Sequence, residues 1–322
     1  MENYIILSDV TCDLSEEIRT RFNIEDYITG HVQFSDGRDF KTTLDWSNIS
    51  HDDFYKTLSN KKIEINTAPG SPEEYYVMFK KYAEQGYKIL SMSISSKISS
   101  TYNVALNAAK RVMSEVPNSE IYAFDSLRMS GALGLLVINA HILKNEGKSF
   151  NEVIEWLESN KNKVHQMGPI DDLIYVARRG RITMGKAIMG NFAGVKPMGD
   201  CTHDGYVSVM TKVKGINKAL DLTAKYFDKV VVNPKEQVVL ISHSNRLEYA
   251  QKLREIILSN TEVKDILISD VFSGCAPNIG PGMVGIYFLG NEISEDLALE
   301  KEILNELVNR WLYAKQNRWC LF

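Results

Sequence analysis

The chain has 322 residues, 44% of them hydrophobic, and 37 Lys and Arg against 41 Asp and Glu give a formal charge of −4. That length is comfortable for two domains with a sizeable core. The ordinary hydrophobicity and slightly acidic balance exclude a disordered chain and a general nucleic-acid binder.

The start, MENYIILSD, has no basic region followed by a long apolar run, so no secretory signal is expected. Tyr4–Ser8 reads as a strand ending in the polar corner SDVTCD, Ser8–Asp13, and a helix is expected over Ser15–Phe22. Ile28–Thr43 alternates around Asp36-Gly37, a hairpin-type turn signal. Ser71-Pro72-Glu73-Glu74 starts a helix: Ser71 caps, Pro72 suits the first turn and Glu74 completes a capping box. That helix is expected to end at Gly86. Lys88–Ile94 is a short apolar strand, and Thr101–Val116 carries apolar residues at helical spacing. Glu120–Phe124 is a strand followed by Asp125-Ser126, and an apolar helix covers Gly131–Asn145. Asn139 and His141 interrupt that apolar run, which is too short to span a bilayer. Ser149-x-x-Glu152 opens a further helix to about Asn160.

Strand and helix alternate throughout this first half, which predicts a parallel α/β sheet. The polar run ESNKNK suggests a domain boundary near Lys161–His165. Beyond it, strands are expected at His165–Ile170, Tyr206–Lys214, Val238–Ser242, Asp265–Phe272 and Gly282–Leu289. Asp171–Ile182, DDLIYVARRGRI, reads as a helix start ending in a basic Gly turn. Arg246–Leu258 fits a crossover helix and Ser294–Gln316 a long amphipathic helix.

The segment ISSKISSTY, Ile94–Tyr102, places Ser95, Ser96, Ser99, Ser100 and Thr101 at one strand-to-helix turn. A helix N-terminus offers unpaired N–H groups and the positive end of the dipole. With added hydroxyl donors it suits a carboxylate or a phosphate. The plainer reading is one capping Ser among solvated neighbours. The other polar corners also follow strands, where ligands of parallel sheets sit.

Other chemistry is missing from the sequence. No GxGxxG, GxxxxGK[ST] or GxSxG is present, and the six histidines never occur as HExxH or HxH. Cys12, Cys201, Cys275 and Cys320 are far apart, so neither a zinc site nor a disulfide framework is expected. Cys12 lies beside Asp9 and Asp13, carboxylates that disfavour a thiolate, and reads as a packing residue.

Seven segments together resemble the DegV family. SDVTCDL looks like its TDSTSDL-type opening, and TAPGSPEEY at Thr67–Tyr75 is similar to its TSQPSP segment. ISSKISSTYNVA at Ile94–Ala105 looks like ISSxLSGTYxSA, and AFDSLRMSGALG at Ala123–Gly134 resembles its Asp-Ser strand end. DLIYVARRGRI at Asp172–Ile182, GVKPM at Gly194–Met198 and GPGMVGIYF at Gly280–Phe288 are similar to LxYLKRGGRI, NIKPI and GPGxxGxxF. The motifs run in family order from about Asn3 to Leu289.

The resemblance implies a two-domain α/β fold: an N-terminal parallel-sheet domain, 1–162, a C-terminal α/β domain with a mixed sheet, 163–290, and a helical extension, 291–322. It implies a cytoplasmic, non-catalytic protein that encloses one long-chain fatty acid between its domains, with no metal or cofactor, no nucleic-acid partner and no stable membrane insertion. Thr67 and Ser99 match the hydroxyls that hold the carboxylate, with Thr101, Lys214 and Asn278 at positions near it. Arg178, Arg179 and Arg181 match a region for docking a separate fatty acid kinase. Four positions depart from the family pattern: Ser100 stands for the Gly of SGT, Arg179 for a Gly between the two arginines, and Asn278 and Lys214 for a His and an Arg. Asn carries no charge and Lys forms no bidentate fork. The rival expectation is an enzyme acting on a phosphorylated or carboxylated small molecule at the Ser8–Asp13 and Ser95–Thr101 corners.

Overall fold

The structure is a computed structural model that describes residues 2–172, 176, 180, 182–183 and 194–318, with backbone alone at 182–183 and 310–318. The first half builds a fully parallel sheet in the order β2-β1-β6-β7, from Tyr27–Ile28, Tyr4–Asp9, Lys88–Ser93 and Ile121–Asp125. Its crossovers include α3 (Pro72–Glu84) and α4 (Thr101–Glu115), which pack on one another. Both halves of the expected capping box form at Ser71 and Glu74, and again at Ser149 and Glu152 at the start of α6 (Phe150–Asn160).

The Ile28–Thr43 segment is divided differently from the expectation. Its first residue belongs to β2 of the parallel sheet. His31–Phe34 (β3) and Asp39–Lys41 (β4) then form the hairpin about Gly37. That hairpin joins Ile65–Ala68 (β5) in a small antiparallel sheet, β4-β3-β5, which no sequence signal had marked. Its core partner is α2 (His51–Leu58), capped by Ser50, whose side chain accepts from the Asp53 N–H at 3.2 Å.

The second half builds a mixed sheet in the order β13-β12-β14-β8, from Asp265–Asp270, Val238–His243, Val284–Leu289 and Val164–Met167. Only the β12–β13 pair is parallel. A three-stranded sheet, β10-β11-β9, adds Val195–Cys201, Val207–Lys214 and Ile182–Thr183. Helices α7 (Ile216–Val230) and α8 (Leu247–Asn260) cover this half, and α10 (Ala298–Arg318) packs on α7 and β11.

Between the two large sheets lies α5, Gly131–Asn145. Leu133, Leu135, Leu136, Val137 and Ile138 are fully buried, which explains an apolar pattern on all faces of the helix. Each such side chain contributes about 1.5–3 kcal/mol on burial. Gly131 lets the helix approach β14, because a Cβ there would collide with the Tyr287 ring. One hydrophobic cluster consequently runs from Ile6 and Leu90 through α5 to Leu240 and Tyr287.

Polar bonds tie the same halves. Arg128 is fully buried, and its guanidinium donates to the carbonyls of Leu127, Lys161 and Thr202 and to Asn162 Oδ1, at 2.7–3.0 Å. Tyr55 donates to the Val271 carbonyl at 2.6 Å. Among the described residues no helix is long and apolar enough to cross a membrane.

Candidate functional site

The β6–α4 corner works differently from a simple capped helix. Ser100 occupies the N-cap position but makes no side-chain bond to the first turn. Ser95 is fully buried and donates to the Gly205 carbonyl at 2.8 Å. Gly205 is required there: its φ is +90°, and a Cβ would sit 2.5 Å from Ser95 Oγ. Ser99 and Thr101 pair through their hydroxyls at 2.8 Å, and the Thr101 N–H donates to Ser99 Oγ at 3.3 Å. That pair holds two hydroxyl protons and uses one between its members, whichever of them donates. One proton is left for a ligand.

Thr67, on β5, and Asn278, on the short helix α9 (Ala276–Ile279), complete the cluster. The Asn278 amide donates to Thr67 Oγ1 at 3.0 Å. Thr67 accepts from Asn278, so its own proton is also left for a ligand. Thr67, Ser99, Thr101 and Asn278 all line one cavity of about 560 Å³. Three separate elements therefore bring four of the five expected ligand residues to one place.

Lys214 does not join them. It ends β11 and lines another cavity, together with α7 and α10. The resemblance placed it near the carboxylate, but it is the last residue of β11, a strand that packs against α7 and α10. Arg178, Arg179 and Arg181 lie outside the described residues. Lys97, within ISSKISS, was missed. It is the described basic side chain of the cavity lining, and its place in the hydroxyl motif was the available signal.

The Ser8–Asp13 corner borders the cavity but is occupied with itself. Asp9 is buried and accepts from the Thr11 N–H at 2.8 Å, from the Thr11 hydroxyl and from the Ile94 N–H at 2.9 Å. Asp13 accepts from Ser130 at 2.6 Å and from the Phe272 N–H at 2.8 Å. Burial pushes the Asp13 carboxyl up to about 7, against the pull of those two donors. Burial also pushes the Cys12 thiol up to about 12, with Asp9 and Asp13 adding to the effect, as a packing role requires. Asp125 accepts from the N–H groups of Ser96 and Leu127 at 3.1 and 3.2 Å. Histidine is not among the described lining residues. His31 contacts Glu74 at 2.9 Å beside a separate groove, and His243 faces Asp270 at 3.5 Å.

The cavity has an apolar continuation. A narrower space of about 80 Å³ is lined by Met167, Met198, Met283 and Tyr287, and Met129, Val176, Val207 and Ile279 line both spaces. The combined shape is a polar head region joined to a methionine-rich slot.

Residues 4–291 match the DegV family, described as uncharacterised protein. A DegV domain-containing protein of Clostridium perfringens is 31% identical over 291 residues, covering 90% of this chain and 99% of its own length. The chain belongs to the DegV family. Solved DegV structures share the fold. A DegV lipid-binding protein from Thermotoga maritima superposes with a TM-score of 0.79 at 24% identity, covering 91% of this chain and 99% of that one. A fatty-acid-binding DegV protein from Thermus thermophilus also gives 0.79 at 24% identity, over 89% and 99% of the two chains. The Streptococcus pneumoniae fatty acid kinase B3 protein, solved loaded with linoleic acid, gives 0.76 at 19% identity, over 90% and 100%. The DegV match ends at residue 291, so α10 lies beyond it.

Proposed function

We propose that this chain binds one long-chain fatty acid, with its carboxylate at Thr67, Ser99, Thr101 and Asn278 and its acyl chain running through the first cavity and ending in the methionine-lined slot. One observation carries the reading. Two hydroxyl protons without an internal acceptor face the polar end of a cavity whose other end is apolar. A carboxylate has two acceptor oxygens for those protons, and the N-terminus of α4 adds a favourable dipole. Lipid-bound relatives with the same fold support it.

On this reading the protein is a carrier without catalytic machinery of its own. The functional unit is the pair of domains 1–162 and 163–290, with the ligand between them. We further propose a fatty acid kinase as partner, docked at Arg178, Arg179 and Arg181. The S. pneumoniae relative, a fatty acid kinase B3 protein, supports that partner. The three described cysteines are buried and unpaired, which suits a reducing cytoplasm. The rival enzyme reading has less support, because Asp9, Asp13 and Asp125 already accept from main-chain N–H groups.

Mass spectrometry of the purified, denatured protein tests the proposal. A co-purified fatty acid at about one per chain is expected. A phosphorylated metabolite with no lipid would favour the enzyme.

A further inference from the structure

A second cavity, of about 230 Å³, lies between β11, α7 and α10 and shares no described lining residue with the first. Lys212, Lys214, Lys218 and Lys225 surround it, all of them exposed. Asp221 is the one acidic side chain among the described lining residues, and it pairs with Lys225 at 2.7 Å. Beneath the lysines the lining is apolar: Val213 and Leu222 from β11 and α7, Leu307 and Val308 from α10. Because α10 follows the DegV match, one wall of this cavity is an addition of this chain.

Four ammonium groups around one concavity, with a single carboxylate among the described lining residues, raise the local positive potential and concentrate anions. An apolar floor under that rim favours hydrocarbon. The volume is less than half that of the first cavity, which restricts the hydrocarbon to a short body. We infer that this cavity is a second ligand site, for a small anionic amphiphile: a carboxylate or phosphate head on a short hydrocarbon chain. The head meets the lysines and the chain lies against Leu222, Leu307 and Val308. The inference is independent of the long-chain fatty acid reading, since the two cavities have separate linings.

Calorimetric titration of the full chain, pre-loaded with oleate to occupy the first cavity, tests it with three probes: octyl phosphate, inorganic phosphate and phosphatidylglycerol vesicles. Octyl phosphate is expected to bind at one per chain, at least roughly tenfold tighter than inorganic phosphate, because buried methylenes add affinity. The exposed pair Lys214→Gln and Lys218→Gln should weaken octyl phosphate roughly tenfold by removing charge-assisted donors. Leu307→Ser should weaken octyl phosphate and leave inorganic phosphate unchanged. Equal affinity for both phosphates, or no response to the lysine pair, overturns the inference. Binding to the vesicles alone also overturns it, by making the basic face a bilayer contact and not a discrete site.

Discussion

The corners at the carboxyl ends of β1 and β6 are neighbours in one parallel sheet, and both crowd polar residues between a strand and a helix. At the first, Asp9 and Asp13 accept from backbone N–H groups and hydroxyls, and Asp13 reaches Phe272 in the second half of the chain. At the second, the Ser99–Thr101 pair and the facing Thr67 each keep one proton that no protein atom accepts. A polar corner becomes a site when its groups are left incompletely satisfied beside a cavity. A satisfied corner is structure.

The largest effect expected from this contrast is at Asp13. Asp13→Ala orphans the buried Phe272 N–H and the Ser130 hydroxyl, each worth about 1–3 kcal/mol when left unpaired. A loss of about 2–4 kcal/mol in urea unfolding is expected. A loss below about 1 kcal/mol would break the comparison, because the first corner would then not be structural.

Asp13→Asn sharpens the same point through pH. The folded carboxyl is pushed up to about 7 by burial, above its ordinary value near 3.8. The folded state therefore holds that proton more tightly than the unfolded state. This contribution to stability is present below the unfolded value and is lost as pH rises from about 4 to 7. Asn keeps an acceptor for Phe272 and a donor for Ser130 without the titration. Unfolding at pH 4.5 and 7.5 should show wild type losing more stability than the variant across that interval. Parallel behaviour of the two proteins would contradict the assignment.

At the second corner the expected effects are on binding. Ser99→Ala should leave stability nearly unchanged and weaken a long-chain fatty acid roughly tenfold, the cost of one donor to a charged group. The smallest effect concerns Asn278. With no histidine among the described lining residues, binding should show no imidazole titration step between about pH 6 and 8. Asn278→His should make binding a few-fold tighter on the acidic side, where an imidazole is charged. A steep dependence in the native protein would reveal another titrating group at the carboxylate.

The second corner was legible in the sequence because its hydroxyls are adjacent in the chain. So was α5, whose apolar run exceeds what one covered face requires. The first corner was not, since Ser130 and Phe272 meet Asp13 from 117 and 259 residues away. Strand β10 was hidden by Pro197 and Gly199, residues that read as turn signals and are tolerated because β10 is an edge strand. Helix α7 begins after Gly215 without a side-chain cap, so its start carried no signal; α2 was not expected either, although Ser50, which caps it, was an available signal. Lys214 was placed by the family resemblance, whereas it ends β11 at the α7–α10 cavity.

The most direct test compares oleate with methyl oleate, in wild type and in the double variant Thr67→Val with Ser99→Ala. The ester keeps the acyl chain and removes the charge. The account predicts that wild type prefers oleate strongly, and that the double variant loses roughly a hundredfold in oleate affinity while its weak binding of the ester barely changes. Equal loss for both ligands, or unchanged oleate affinity in the double variant, would contradict a carboxylate held by these hydroxyls.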